Sequence, residues 1–441
     1  MAENEAVRGE EGLRLRRPER EQQVLRAESP EDLVEANDPV RTIWSVTGRL
    51  DLSAFYESVR SREGQAGRDA TDPRLLVALW LYAATQGIGS ARELARACEQ
   101  QRAFQWLCGG VSVNYHTLSD FRVRHLGALD ALLTQVITVL LERRLVEVWR
   151  ISQDGTRVRA GAGAGSFRRR KRLEKLHETA RRHVESLREQ LEDPSVAAAL
   201  SARQRAAQER AAREREERLD AALARLPELE KRQRKLARKV SKKDRPEKLR
   251  ELRVSTTDAD VRVMKMADGG FRPAVNVQVA CDPASRAIVG VDVSSQGVDT
   301  GLSEPMRQQV EQRTGEKVRE HLLDGGYLSF DEIERAQEED VALVVPAKPP
   351  RNPERRATAY EPRPGDSEAV RAWRERMGTE EGQALYRLRG QTSETVNADL
   401  KTYRGLGPLT VRGLDKIKCV VLWSALAYNL LHFGAALIDR T

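Results

Sequence analysis

Residues 146–156 read Val146-Glu-Val-Trp-Arg-Ile-Ser-Gln-Asp154-Gly155-Thr156. The run Val146 to Ile151 alternates and is rich in β-branched residues, the pattern of a strand. It ends at Gln153-Asp154-Gly155-Thr156, so an acidic side chain stands at the strand's carboxyl end. In open sheets, functional groups collect at such ends. The expectation is a mixed-sheet domain opening near residue 146, with Asp154 just after its first strand.

Working downstream, Ala274 to Ala280 alternates and Ala287 to Val293 is β-branched, with Asp282-Pro-Ala-Ser285 as the turn of a hairpin. A helix around Pro305 to Glu311 leads to a short strand, His321-Leu-Leu323, closed by Asp324-Gly-Gly. Ser329-Phe-Asp-Glu332 caps another helix, and Val341 to Val345 makes a fifth strand. A Pro- and Arg-rich loop, Pro346 to Arg363, precedes helix-forming stretches at Ser367–Leu400 and Ile417–Leu437.

Upstream, Val40 to Leu145 is helical. Asp72-Pro73 supplies an N-cap and a first-turn proline, and Leu75, Leu76, Leu79 and Ala83 share one face. Ser90-Ala-Arg-Glu93 reads as a capping box, Thr117-Leu-Ser-Asp120 as a second cap, and Ala128 to Arg144 as a longer helix. Arg92, Arg96, Arg102, Arg122 and Arg124 fall near helix starts and turns. They fit a solvated surface or a helical DNA-binding module. Trp44, Trp80 and Trp106 read as core.

Between residues 168 and 253 there is no Gly, Phe, Tyr or Trp. Leu173, Leu176, Ala180, Val184, Leu187 and Leu191 step by threes and fours like a heptad seam. Leu219, Leu223, Leu226, Leu236 and Val240 continue on a second helical stretch. Two antiparallel helices joined near Glu192-Asp-Pro-Ser195 would bury both seams. The charge of this insert reads mainly as a solvated face. The organisation expected is a polar, partly disordered N-terminus (1–39), a helical DNA-binding domain (40–145) and a sheet domain (146–441) with a helical hairpin or coiled coil inserted at 168–253.

Composition narrows the class. The 441 residues are 40% hydrophobic and 32% charged, with 75 Lys and Arg against 67 Asp and Glu, net +8. The pI is about 9.4 and the mean hydropathy −0.59. A basic surplus favours a polyanionic partner, most often nucleic acid. Residues 1–20 have no apolar core of a signal peptide, and Val420 to Leu431 is too short to span a bilayer. Cys98, Cys108, Cys281 and Cys419 lie far apart in sequence and form no C-x-x-C pair, so no zinc knuckle or disulfide framework is expected. A reduced, cytosolic setting follows as the expectation.

Asp154, Asp324 and Glu394 bear the chemistry. Two Asp from adjacent strand ends and a Glu from a packed helix can converge, and three carboxylates then require cations. Hard oxygen ligands select Mg²⁺, with Mn²⁺ as substitute. Two such ions roughly 3.5–4 Å apart activate a water or 3′-hydroxyl against a phosphodiester. Arg387, Glu394 and Lys401 are seven apart, hence on one helix face, with Gln391 and Asn397 beside them. That face fits either phosphates lying across it or plain surface charge. Asp268, Asp282, Asp292 and Asp299 are not taken as ligands, and His116 and His321 are not required.

With these residues in order, the chain resembles a bacterial insertion-sequence transposase of the DDE type, from about Val40 onward. The strings that carry the resemblance are Gly67-Arg-Asp-Ala-Thr-Asp-Pro73, Leu79-Trp-Leu-Tyr82, Gly87-Ile-Gly-Ser-Ala-Arg-Glu-Leu94, Trp106-Leu-Cys-Gly-Gly110 and His116-Thr-Leu-Ser-Asp-Phe-Arg122. Asp154-Gly-Thr, Met264 to Pro273 with Asn276 and Gln278, and Asp324-Gly-Gly-Tyr327 follow, then Tyr386, Arg389, Glu394, Lys401, Arg412-Gly-Leu and Leu426-Ala-Tyr-Asn-Leu430. The resemblance implies a ribonuclease-H-like core with a five-stranded sheet and the triad Asp154, Asp324 and Glu394 holding two Mg²⁺. It also implies DNA contacts from Tyr386, Arg387, Arg389, Lys401 and Arg122. The implied activity is cleavage at terminal inverted repeats and transfer to target DNA, by a homodimer or larger assembly on the nucleoid. Related chains carry Y-x2-R-x3-E-x6-K. Here four residues separate Arg389 from Glu394, while Lys401 keeps its spacing. No zinc site is expected between the second Asp and the Glu. The alternatives are a catalytically inactive DNA-binding derivative, a coiled-coil structural protein and a nuclease that only cuts.

Overall fold

The computed structural model describes residues 21, 23, 27–62, 64, 66, 68–192, 201–238, 252–348 and 358–438. Its N-terminal part is helical: α1 (Pro39–Thr47), α2 (Ser53–Tyr56), α3 (Pro73–Thr85), α4 (Ala91–Gln100), α5 (Arg102–Cys108), α6 (Tyr115–Arg124) and α7 (Leu126–Glu142). Asp72 caps α3, its carboxylate accepting from Arg74 N at 2.9 Å, with Pro73 in the first turn. Ser90 caps α4. The cap of α6 is Asn114, three residues before the expected Thr117, and its side chain accepts from His116 N and Thr117 N. Trp80 is buried as expected, whereas Trp44 and Trp106 are half-buried beneath the guanidinium groups of Arg74 and Arg41.

The first strand, β1, runs Arg150–Arg159, later and longer than the 146–151 expected. Asp154 is therefore in the middle of a strand rather than after one. The sheet holds the five anticipated strands and a sixth. After a short ribbon of β2 (Phe167–Arg168) and β3 (Val254–Ser255) come β4 (Arg262–Lys265), β5 (Phe271–Cys281), β6 (Ile288–Ser294), β7 (Glu320–Leu322) and β8 (Ala342–Val344). The order is β4-β5-β1-β7-β8, with β6 on β5. The strand β5 is long enough to pair β4 over Phe271–Ala274 and β6 over Asn276–Cys281, which accounts for the extra strand.

One register detail places the site. β1 pairs antiparallel with β5 from Ser152 to Arg159, but parallel with β7 only from Arg150 to Ser152, opposite Glu320 to Leu322. Beyond Ser152, β1 continues while β7 has ended. The same register carried two residues further sets Asp324 abreast of Asp154.

The insert forms two long helices, α8 (Arg170–Glu192) and α9 (Ala202–Arg238). They are antiparallel: Arg170 pairs with Glu230 at 2.8 Å, and His177 Nε2 with Asp220 Oδ1 at 2.7 Å. Their seam buries Leu173, Ala180, Leu219, Ala222 and Leu226. The expected turn at 192–195 and Val240 lie outside the described residues beyond Glu192. The chain continues through α10 (Ser303–Thr314) and α11 (Phe330–Glu338). The stretch expected as one helix from Ser367 is broken into α12 (Glu368–Gly378), α13 (Glu380–Arg389), a π-helical turn (Gly390–Glu394) and α14 (Thr395–Tyr403).

The last helix, α15 (Leu414–Ile438), packs on α1, α3, α6, α7 and β6, and one hydrophobic cluster runs from Val40 to Leu437. At 25 residues α15 is long and apolar enough to cross a membrane, longer than the apolar run Val420–Leu431, but it is mostly buried in that cluster. Cys98 and Cys108, distant by spacing, hydrogen-bond to each other; this contact and then burial hold the Cys98 thiol up, while the same contact draws Cys108 down against its burial. All four cysteines are free thiols.

Asn429 joins α15 to the sheet. Its Oδ1 accepts from Ile288 N and its Nδ2 donates to Ile288 O, both at 2.9 Å and buried. Asn429→Leu should strand both backbone groups and cost about 2–5 kcal/mol, by the penalty for buried unpaired polar groups. Urea unfolding of the variant measures it, and an unchanged midpoint would contradict this role.

Candidate active site

Asp154 is largely buried (its side chain 17% exposed), as follows from its mid-strand position under α14. Its Oδ2 accepts from Asn397 Nδ2 at 3.1 Å, and its Oδ1 lies 3.3 Å from Arg389 Nη1. The other arm of that guanidinium, Nη2, donates to Glu394 Oε1 at 3.0 Å. One cation thus links two of the three expected carboxylates. Asp324 follows β7, its Oδ1 accepting from Gly326 N at 2.7 Å. Lys401 Nζ donates to Thr156 Oγ1 at 2.8 Å, two residues along β1 from Asp154.

The extra residue between Arg389 and Glu394 has a structural explanation. A π-turn absorbs one added residue without ending the helix. Here Gly390–Glu394 is such a turn, and it presses the buried Thr392 and Ser393 onto β1. Thr392 Oγ1 donates to Ser152 Oγ at 3.2 Å, and Ser393 Oγ lies 2.5 Å from the same oxygen. The turn keeps Arg389 within reach of Glu394 across five positions. It also breaks the regular heptad phase assumed for Arg387, Glu394 and Lys401. Arg387 is exposed and meets none of the carboxylates among the described residues, so the cation between Asp154 and Glu394 is Arg389.

A fourth carboxylate was missed. Asp299, set aside on sequence, is buried. Its Oδ1 accepts from Asn276 Nδ2 at 2.7 Å and Gln278 Nε2 at 3.0 Å, and its Oδ2 lies 3.6 Å from Arg157. At Gly326, a Cβ would stand 2.8 Å from Asp324 Oδ1 and 3.3 Å from Asp299 Oδ2, so both carboxylates face that point. Gly155 is required for the same reason: a Cβ there would lie 2.4 Å from Asp299 Oδ1. Tyr327 donates its hydroxyl to Gln278, which also accepts from Gln153 Nε2 at 2.6 Å. The signal was present, since Asn276, Gln278 and Tyr327 belong to the quoted strings, but nothing in their spacing named Asp299 as their partner.

The remaining expected contacts divide. Tyr386 is half-buried, with the Arg389 guanidinium 5.9 Å over its ring. Arg122 is not a surface contact. It is buried over Trp80 and donates to Gly89 O, and burial pulls its pKa down to about 10. His321 is buried in β7, where burial and the Arg307 charge keep it neutral.

Burial pushes the Asp154 carboxyl up to about 6, with Arg389 opposing and Asp324 adding to the rise. For Arg389, burial acts downward and is outweighed by Asp154 and its neighbouring groups, so its net shift is upward. Among the described residues no group of three or more His, Cys, Asp or Glu stands where it could together hold a metal ion. The donor set nonetheless fits a hard divalent cation: Asp154 and Asp324 are adjacent carboxylates, one of them resisting ionisation in its absence. Glu394 is 60% exposed on the π-turn and is held by Arg389.

The raised Asp154 pKa has a stability consequence. Between about pH 4 and 6 the folded chain keeps a proton that the unfolded chain has lost, so stability falls as pH rises through that window. Above it the loss is on the order of 3 kcal/mol for a shift of about two units. Asp154→Asn should therefore melt higher than wild type at neutral pH, the difference closing toward pH 4. A variant that melts lower at neutral pH would contradict this electrostatic account.

A mixed sheet with carboxylates on neighbouring chain segments, a flanking helix bearing a third, and a helical domain ahead of it is consistent with a ribonuclease-H-like architecture. Two family models match the chain, one described as a transposase domain (DUF772) over residues 28–124, the other as a transposase DDE domain over residues 347–433. Together the two matches support an insertion-sequence transposase of the DDE type. Residues 125–346, with Asp154, Asp324 and the inserted hairpin, fall between the two matches. No curated protein and no solved structure matches it.

Proposed function

We propose that the chain binds the terminal inverted repeats of its own element, cuts a DNA strand at each end, and joins the freed 3′-hydroxyl to target DNA. The observation that carries this reading is the Arg389 bridge between Asp154 and Glu394, with Asp324 two residues past the end of the neighbouring strand β7. Asp154, Asp324 and Glu394 would hold two Mg²⁺, or Mn²⁺. Bound there, such ions supply a nucleophile from water or a 3′-hydroxyl and stabilise the leaving oxygen.

The chain's own groups have definable tasks. Asn397 orients the Asp154 carboxylate and Lys401 holds Thr156 beside it. Arg389 neutralises two carboxylates before DNA arrives. Lys401 and Arg387, both exposed, present charge to a phosphate backbone along α13 and α14, with the half-buried Tyr386 ring beside them. Two ends processed together imply a homodimer or larger assembly, working where DNA is, at the nucleoid.

The test is an end-cleavage assay with Mg²⁺ on DNA carrying the repeats that flank the gene. Asp154→Ala, Asp324→Ala and Glu394→Ala should each lose at least about a hundredfold in cleavage, as loss of a metal-holding group does, while still binding ends. Cleavage surviving in all three would contradict the assignment. End binding without cutting by wild type, in Mg²⁺ and Mn²⁺ alike, would favour an inactive DNA-binding derivative.

Deleting Gln391 probes the π-turn separately. Removing one residue turns the preceding helix by about 100° relative to Glu394. Arg389 should lose its bridge and cleavage should fall. Wild-type cleavage in this deletion would show that the turn does not set the site.

A further inference from the structure

The basic surplus of the chain is confined to the insert. Residues 168–253 hold 28 Lys and Arg against 16 Asp and Glu, net +12, whereas the rest holds 47 against 51, net −4. Within the insert the charges are not evenly matched. Away from the sheet they pair along the helices: Arg181 with Glu178 and Glu185, Arg182 with Glu178, Arg213 with Glu209, and Arg218 with Glu214. At the base, where the start of α8 lies beside the end of α9, pairing is partial: Arg170 meets Glu230 and Arg225 meets Glu228, while six further cations stay unmatched. Lys171, Arg172 and Lys175 on α8 and Arg234, Lys235 and Arg238 on α9 are exposed and form no ion pair among the described residues.

This arrangement works against the isolated helix. Arg168 to Arg172 are five consecutive cations at the N-terminus of α8, whose first turn has no acidic residue. The helix dipole is positive at that end, so cations there are destabilising and an anion is favoured. The base also borders the carboxylates. Arg225 Nη2 donates to Ser295 Oγ at 3.2 Å and Arg232 Nη2 to Gln296 Oε1 at 2.6 Å, fastening α9 to the loop that continues to Asp299. Asp299 and Asp324 in turn flank Gly326.

We propose that the base of the inserted hairpin is a sequence-independent docking surface for the DNA phosphate backbone, laying the duplex alongside the carboxylate centre. This rests on the reading of the chain as a DNA-cutting enzyme and locates a contact that the reading alone does not. Phosphates would meet the unpaired cations on both helices and the dipole of α8 together. The charge is thus more than a solvated face.

The experiment compares the full-length chain with two multiple variants. The base variant is Lys171→Gln, Arg172→Gln, Lys175→Gln, Arg234→Gln, Lys235→Gln and Arg238→Gln. The control changes Arg203, Arg205 and Arg210 to Gln, at the opposite end of α9. Fluorescence anisotropy with a duplex of arbitrary sequence, and with the repeat-bearing ends, is read from about 50 to 200 mM salt. The salt slope changes by about 0.9 for each phosphate that the protein no longer neutralises. The base variant should bind both duplexes at least about tenfold more weakly at about 0.1 M salt, with a slope shallower by several units, while the control stays within about twofold. Its melting temperature without DNA should not fall, because cations leave the N-terminus of α8. If the sextuple change unfolds the chain, Arg172→Glu alone gives the same two readings in smaller measure. Unchanged affinity and slope in the base variant, or an equal loss in the control, would overturn the proposal, and metal-dependent end cleavage by wild type would still uphold the active-site reading. Loss confined to the repeat-bearing duplex would overturn its sequence-independence. A wild type that neither binds nor cuts either duplex would overturn both.

Discussion

A carboxylate set in the middle of a sheet loses much of its hydration, and Asp154 is kept there by the Arg389 guanidinium. Two amino groups on one rigid fork reach Asp154 and Glu394 at once, which a lysine's single ammonium does not do with fixed geometry. Much of the site's layout follows from this contact. α13 must approach β1 closely, so the π-turn presents Thr392 and Ser393, small hydroxyl residues, to Ser152. Asn397, further along, then reaches the second oxygen of Asp154.

The far side of Asp154 is built from amides rather than charges. Asn276 and Gln278 on β5 hold Asp299, and Gln153 and Tyr327 complete the network. Gly155 leaves room for it. Concentrating acidic groups around one part of the sheet lowers stability. Enzymes accept that cost where a ligand of opposite charge completes the site.

Much of this was legible in the sequence. Periodicity located the helical region, the inserted hairpin and five strands, because caps, turns and alternation are local. The three candidate carboxylates stood out by an expected strand end and a signature spacing, although Asp154 lies mid-strand. What escaped was non-local. The true extent of β1 depends on β5, which pairs it to Arg159 although Gln153-Asp154-Gly155-Thr156 reads as the strand's end. Asp299 owes its place to partners 21 and 23 residues earlier. Arg122 looked exposed because its burial is supplied by Trp80 on another helix. The odd spacing before Glu394 was visible as a number, and its meaning as a π-turn needed coordinates.

The account places three carboxylates from three distant stretches at one cation-binding centre, beside a hairpin whose base gathers the chain's surplus positive charge. Affinity cleavage tests that convergence directly. Ferrous iron added with ascorbate and peroxide releases hydroxyl radicals only where it is bound, and the fragments give the positions cut. The account predicts backbone cuts close to residues 154, 324 and 394, suppressed by excess Mg²⁺. Cuts at only one of the three, or confined to the acidic positions of the hairpin, would contradict it.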